Sequence, residues 1–158
     1  MRALAAAARA VAAATRLSIA LAAAGMLGCI AYQVVMRYVV GAASSWSEEM
    51  AVLLFSWSVL GGLSLGVHEG FHVRLTLLPD RLPRAGRVAA ERVLDALTAA
   101  LGVFLAWSGW RFLDITGGSV SAAMGYPTEI LNALAIACGA LMALFGLERA
   151  LRPGGVAA

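Results

Sequence analysis

The longest uncharged stretch of the chain decides what it can fold into. Leu17–Met36 contains twenty residues and no charged side chain. A helix of that length is about 30 Å long, which matches the hydrocarbon core of a bilayer. A secretory signal has a shorter apolar core of about 7–15 residues. The sequence therefore predicts an uncleaved first membrane helix.

The composition of the whole chain agrees with this. Of 158 residues, 61% are hydrophobic and 13% are charged, and the mean hydropathy is +0.84. Soluble domains are closer to half apolar. All twelve basic residues are arginine, and against nine Asp and Glu residues they give a net charge of +3. Basic residues in a membrane chain usually record its topology, so we expect an integral membrane protein and no nucleic-acid partner.

The predicted fold is all-α, with four transmembrane helices and interfacial amphipathic segments in a single membrane domain, residues 1–158. The third span has only Ala96–Trp110 free of charge, so it must include the charged turn before it, whose long side chains reach outward. The segment before that turn alternates apolar and polar residues and contains two prolines, which favours an interfacial position. The predicted elements are an N-terminal interfacial helix over 1–16, spans over about 17–40, 46–67, 88–113 and 128–147, an interfacial segment over 68–83, and a tail over 148–158.

The arginines predict which way the four spans run. Four spans place both termini on one side, together with the segment over 68–83. That side carries ten arginines, and the other side carries only Arg37 and Arg111. Cytoplasmic loops are enriched in Lys and Arg, so both termini are predicted to be cytoplasmic. The loops after spans one and three then face outward.

The centres of the predicted spans contain no carboxylate, lysine or arginine. A carrier usually has a charged or amide side chain near the middle of the membrane to bind its substrate or coupling ion. We therefore expect that this chain does not transport a solute by itself, which disfavours a small stand-alone exporter. No nucleophile–base pair stands out, so no catalytic residue and no enzyme activity are predicted.

Two histidines, His68 and His72, are four residues apart at the end of the second span. Such a pair shares a helix face, but no third metal ligand is evident nearby. We interpret both as interfacial residues that form hydrogen bonds, and we predict no metal and no cofactor. The alternative is a haem-binding membrane-anchor subunit of a respiratory enzyme, in which one of these histidines ligates the iron.

Small residues recur at four-residue spacing. Gly62 and Gly66 form a GxxxG motif in the second span, which allows two helix backbones to approach closely. Ala135, Gly139 and Ala143 repeat the spacing in the fourth span. In so alanine-rich a chain such repeats often arise by chance, so we give Gly62 and Gly66 the greater weight.

Polar and aromatic side chains mark the ends of the second span. Arg37 precedes it by a short loop and is a candidate ion-pair partner for Glu48 or Glu49. Trp46 is placed to anchor the interface. Trp57 lies deep in the span, so its indole N–H needs a hydrogen-bond partner or a packed groove.

The order and spacing of these residues resemble a known family. The pattern begins at Arg37 and ends at Leu82-Pro83. It is similar to that of the small membrane subunit, the DctQ-type or Q subunit, of tripartite ATP-independent periplasmic (TRAP) transporters. The chain departs from the family pattern at Leu75-Thr76, where an acidic residue is frequent. The residues that carry the resemblance are Arg37, Trp46-Ser-Glu48-Glu49, Trp57, Gly61-Gly62, Gly70-Phe-His72-Val73-Arg74 and Leu82-Pro83.

The resemblance implies a role in sodium-coupled uptake of an organic acid across the bacterial inner membrane. A periplasmic substrate-binding protein captures the solute, and a large multi-span permease subunit (M-type) moves it. The small subunit, held in membrane lipids, pairs with the large one and extends its scaffold. His72 and Arg74 would tether the interfacial segment. The residues implied in subunit contact or docking are Arg37, Trp46, Glu48, Glu49, Trp57, Gly61, Gly62 and Gly66.

Overall fold

The protein is all-helical in the parts that the structure describes. The structure is a computed structural model, and it describes residues 2–70 and 84–151. One isolated antiparallel β-bridge joins Val120 and Pro127. The helices are α1 (Arg2–Val35), α2 (Ser45–Glu69), α3 (Arg84–Thr116) and α4 (Glu129–Ala150).

Helix α1 is continuous where the sequence suggested two elements. Alanine is the strongest helix former, and neither glycine nor proline interrupts the first sixteen residues. Ala8 and Ala12 are buried in the bundle core with Val67 and Phe145. The helix ends in a π-helical turn, Met36–Val40. The predicted membrane limits near residues 17 and 40 stay a prediction.

Three of the four predicted spans coincide with helices that are long and apolar enough to cross a membrane. Within the described ranges these are Ala5–Val40, Ser45–Glu69 and Glu129–Ala150. The third predicted span falls in α3, which is not among them. The structure thus agrees with a multi-pass membrane protein, and the crossing by α3 stays a prediction.

The order of neighbours in the bundle is α1, α2, α4, α3. Helix α2 packs against both α1 and α4, and α3 packs against α4. A buried polar contact joins the two central helices, because the hydroxyl of Ser64 donates to the backbone oxygen of Cys138 at 3.3 Å. We call the end of the bundle where α2 begins the Trp46 end, and the end where α2 stops the His68 end.

Glycine gives α3 and α4 their close approach. A methyl group built at Gly102 would lie 2.5 Å from the backbone nitrogen of Ala143, and one at Gly139 would lie 2.5 Å from that of Ala106. Gly146 faces Ala99 in the same way at 2.8 Å. The two backbones therefore touch with no side chain between them. Gly62, to which the spacing gave greater weight, makes no such close approach among the described residues, and a role for Gly62 and Gly66 in contacts with another subunit stays a prediction.

Ion pairs tie the helices together at the His68 end. Arg149 of α4 donates to Asp95 of α3 at 3.0 Å, and the two side chains are only 15% and 18% exposed. Arg16 of α1 pairs with Glu69 of α2 at the surface. The guanidinium of Arg149 also lies against Gly70, which ends α2 with a positive φ of 74°, a backbone conformation that favours glycine.

Candidate subunit interface

The Trp-Ser-Glu-Glu segment forms the first turn of α2. Trp46 packs against Tyr32 of α1, with ring centroids 5.3 Å apart, and remains 45% exposed. Ser47 is fully buried, and its hydroxyl donates to the backbone oxygen of Ser44 at 2.8 Å. One side of this turn is therefore fixed within the bundle.

Glu49 binds the loop between α3 and α4. Its carboxylate accepts hydrogen bonds from the backbone N–H groups of Ala123 and Met124 at 2.9 and 3.0 Å, and from the hydroxyl of Ser121. Three donors therefore converge on one side chain from a loop more than seventy residues away along the chain. Glu49 acts inside the subunit, as an anchor for this loop.

The loop itself, residues 117–128, is folded. The Ser121 N–H donates to the Tyr126 oxygen at 2.8 Å, and the Thr128 N–H donates to the Ser119 oxygen at 3.0 Å. Glu129, the first residue of α4, accepts a hydrogen bond from the Gly118 N–H at 2.7 Å. The loop is closed on itself and is held at both α2 and α4. Nothing in the sequence of the loop predicted its hydrogen bonds to Glu49.

Glu48 lies beside this loop and points elsewhere. It is exposed and lines an open groove of ≈ 680 Å³ between α2, α4 and the loop. Within the part of the chain that the structure describes, the ion pair between Glu48 and Arg37, a candidate from the sequence, does not form. Across the residues that the structure describes, Arg37 makes no ion pair with Glu48 or Glu49. It lies exposed in the π-helical turn instead. The other groove residues are Ser45, Glu49, Val52, Val120–Ala123, Tyr126, Thr128 and Leu131.

Two of the predicted contact residues are used within the chain. The indole N–H of Trp57 donates to the Ser18 hydroxyl of α1 at 3.1 Å, which supplies the partner that its depth requires. Gly61 is buried, and a methyl group there would lie 3.1 Å from Ile19. Both residues join α2 to α1.

Gly62, by contrast, is open. A methyl group built at Gly62 would have nothing within 4 Å among the described residues. Gly66 is half-buried, and its backbone oxygen accepts the N–H of Gly70 at the end of α2. Within the described residues, Gly62 of the GxxxG motif therefore takes no part in the packing of α2 on α1 or α4.

At the His68 end, the His68 ring packs against Phe145 of α4, with centroids 4.9 Å apart. His68 and Glu69 still belong to α2, so the predicted interfacial segment over 68–83 overlaps the helix at its start. His72 and Arg74 lie outside the described residues. In the described ranges, no group of three His, Cys, Asp or Glu side chains could hold a metal ion.

The family comparison identifies this architecture. A family model described as "Tripartite ATP-independent periplasmic transporters, DctQ component" matches residues 26–153, which is most of the chain. The chain belongs to the DctQ family of TRAP transporter small permease subunits. The match includes the whole of α2, the loop over 117–128 and both helices of the α3–α4 pair. Members of the DctQ family are components of a transporter.

Curated relatives carry matching names. The chain is 30% identical over 83 residues to the sialic acid TRAP transporter small permease protein SiaQ of Vibrio cholerae, across 52% of this chain and 48% of that protein. It is 32% identical over 79 residues to the C4-dicarboxylate TRAP transporter small permease protein DctQ of the same species, across 50% and 34%.

A third relative is much longer. The chain is 31% identical over 121 residues to an uncharacterized protein of Sinorhizobium fredii, across 75% of this chain and 22% of that protein. The matched regions thus span less than half the length of each of these three relatives. In the Sinorhizobium protein a DctQ-like segment is part of a far longer polypeptide.

Proposed function

We propose that this DctQ-family chain is the scaffolding small subunit in sodium-coupled, binding-protein-dependent uptake of an organic acid across the bacterial inner membrane. The family match over residues 26–153 carries the proposal. Two relatives are named for sialic acid and C4-dicarboxylate transporters. Both solutes bear carboxylates, which supports an organic acid as the substrate here.

The partners are a large multi-span permease subunit and a periplasmic substrate-binding protein. The central parts of the spans offer no charged side chain for a solute or ion, which supports a large subunit as the place of transport. The Sinorhizobium relative, in which the matched segment is 22% of the protein, supports the idea that such a segment works beside a larger body. The family match favours this function over the haem-binding alternative.

The proposed topology has four crossings with both termini in the cytoplasm. Helix α3 lies beside α4 from the Asp95–Arg149 ion pair at 3.0 Å to the hydrogen bond between Asn132 and Thr116 at 3.3 Å. Twenty-one residues of α3 separate those points, or about 32 Å. If α4 crosses the bilayer, then α3 crosses beside it. The ten-to-two division of arginines supports a periplasmic position for the Trp46 end.

Uptake by reconstituted proteins tests this function. We expect liposomes that contain the large subunit, with binding protein outside, to accumulate a carboxylate solute only when this chain is also present. Omitting it should lower the initial rate at least about tenfold, because the large subunit would lack its scaffold. A sodium ionophore should abolish the uptake by the complete system. Equal rates with and without this chain would contradict the scaffold role.

A further inference from the structure

The groove at the Trp46 end has a lining that changes from polar to apolar in one direction. Along α2 the lining passes from Ser45 through Glu48 to Val52, a distance of seven residues or about 10 Å. On the other wall, Thr128 caps α4 and Leu131 follows it inside the helix. Both helices begin at this end and are long and apolar enough to cross a membrane. The polar part of the groove is therefore nearer to water, and the apolar part is nearer to the bilayer core.

An exposed tryptophan indicates that the groove is at the level of the lipid headgroups. Trp46 is 45% exposed and stands two residues before Glu48. Tryptophan is enriched at the interface between membrane and water. Phospholipids fill this level of the bilayer, and each has the same change in polarity, from headgroup to acyl chain, as the lining of the groove. The volume of ≈ 680 Å³ is within the usual range of small-molecule pockets, about 300–1,000 Å³.

The charge of the lining selects the kind of headgroup. Glu48 is exposed and forms no ion pair with any described residue. Glu49 adds a second carboxylate to the lining, but both of its oxygens accept hydrogen bonds from the loop. The described residues that line the groove include no basic side chain. The groove therefore attracts a cationic group and repels a headgroup with a net negative charge.

Hydrogen bonding makes a second selection, among cationic headgroups. A primary ammonium group carries three N–H donors, and an ionised carboxylate only accepts hydrogen bonds. Hydrogen bonds between charged groups are roughly twice as strong as neutral ones. The quaternary ammonium of a choline headgroup has no N–H and is attracted by charge alone. An ethanolamine headgroup therefore fits Glu48 better than a choline headgroup does.

We propose that the groove binds one phosphatidylethanolamine molecule, with its ammonium group at Glu48 and the first part of an acyl chain against Val52 and Leu131. The site goes beyond the proposed transport function, because it requires only that α2 and α4 enter the bilayer at the Trp46 end. The bound lipid fills the space between the two helices and the loop that Glu49 holds.

Native mass spectrometry of the purified full-length chain tests the headgroup. Phosphatidylethanolamine and phosphatidylcholine with identical acyl chains are added in equal amounts. We expect the complex with one ethanolamine lipid to be about fivefold more abundant than the complex with one choline lipid, because only the ethanolamine group donates hydrogen bonds to Glu48. Equal abundance of the two complexes would overturn the proposal.

A substitution of Glu48 tests the carboxylate. Glu48→Gln should lower the abundance of the ethanolamine-lipid complex about fivefold, to that of the choline-lipid complex. Asp114→Asn is the matched control, because Asp114 is also an exposed carboxylate, near the end of α3, and lies outside the groove lining. The control should bind the lipid as the unsubstituted chain does. Equal losses in the two variants would show an effect of net charge alone and would overturn the proposal.

A second pair of variants tests the apolar wall. Val52 and Val59 lie on α2 and are both 51% exposed, but only Val52 lines the groove. Val52→Trp should fill the groove and lower the abundance of the ethanolamine-lipid complex about fivefold, whereas Val59→Trp should leave it unchanged. Equal binding by these two variants would contradict the proposed position of the acyl chain.

Photo-cross-linking in native membranes identifies the occupant of the groove. A photoreactive residue replaces Val52 or, as the control, Val59. We expect the lipid adducts at position 52 to be richer in ethanolamine headgroups than the adducts at position 59. The same headgroup composition at both positions would overturn the proposal. An adduct with a protein at position 52 would assign the groove to a protein partner and would overturn it as well.

Discussion

Gly139→Leu is expected to prevent the accumulation of folded protein, and Gly139→Ala to destabilise it by about 1–3 kcal/mol. Even the alanine methyl group would lie 2.5 Å from the Ala106 nitrogen and 2.6 Å from the Gly102 oxygen. These atoms belong to the backbone of α3, so no side-chain rotation relieves the collision. The whole of α3 must move away from α4. Thermal unfolding in detergent, monitored by size-exclusion chromatography, measures the loss of stability.

A glycine elsewhere in the bundle supplies the control for this result. Gly28→Ala adds the same methyl group on α1, where nothing lies within 4 Å in the described residues. Alanine in an exposed helix is favoured over glycine by about 1 kcal/mol, so this variant should be slightly more stable. Gly139→Ala is thus predicted to lower the stability of the protein and Gly28→Ala to raise it. A Gly139→Ala protein as stable as the unsubstituted chain would contradict the observed approach of α3 to α4.

Glu49→Ala is expected to release the loop over 117–128 and with it the surface that the loop shapes at the Trp46 end. The carboxylate accepts from Ser121, Ala123 and Met124, and alanine replaces none of these bonds. We expect backbone amides at 123 and 124 to exchange with deuterium on the order of tenfold faster. Exchange measured by mass spectrometry on loop peptides gives the effect directly, and uptake by the three-part system should fall with it.

A substitution of the neighbouring Glu48 distinguishes the loss of the loop anchor from the loss of a negative charge. Glu48→Ala removes the same charge one residue away, but Glu48 makes no hydrogen bond to the loop among the described residues. Loop exchange should therefore be unchanged in that variant. Loop amides that exchange equally fast in the Glu48→Ala and Glu49→Ala proteins would show that Glu49 does not anchor the loop.

Much of the fold follows from local sequence. Uncharged runs predict α1, α2 and α4, because burying a charge in lipid costs several kcal/mol, typically about 3. The need of Trp57 for a partner was also predictable, since a deep indole N–H cannot remain unbonded. The identity of that partner, Ser18, was not, because no local rule says which turn of α1 lies beside Trp57.

The candidate site was harder to predict, for a physical reason. Glu48 and Glu49 are adjacent and chemically identical, yet they lie about 100° apart on the helix. That rotation turns Glu49 toward a loop from the far part of the chain and leaves Glu48 at the groove. Likewise, Gly62 and Gly139 have similar sequence surroundings, and only the packing order of the helices shows which one faces a neighbour. Pairings distant in sequence decide both cases.

Co-purification tests the central claim, that this DctQ-family chain works as the small subunit of a larger permease. The unsubstituted chain, tagged at its C-terminus, is extracted from native membranes in mild detergent, and the bound proteins are identified by mass spectrometry. The account predicts one large multi-span membrane protein in about equal amount, with no haem absorbance. A coloured complex with a soluble dehydrogenase, or a chain recovered without any large membrane partner, would contradict it.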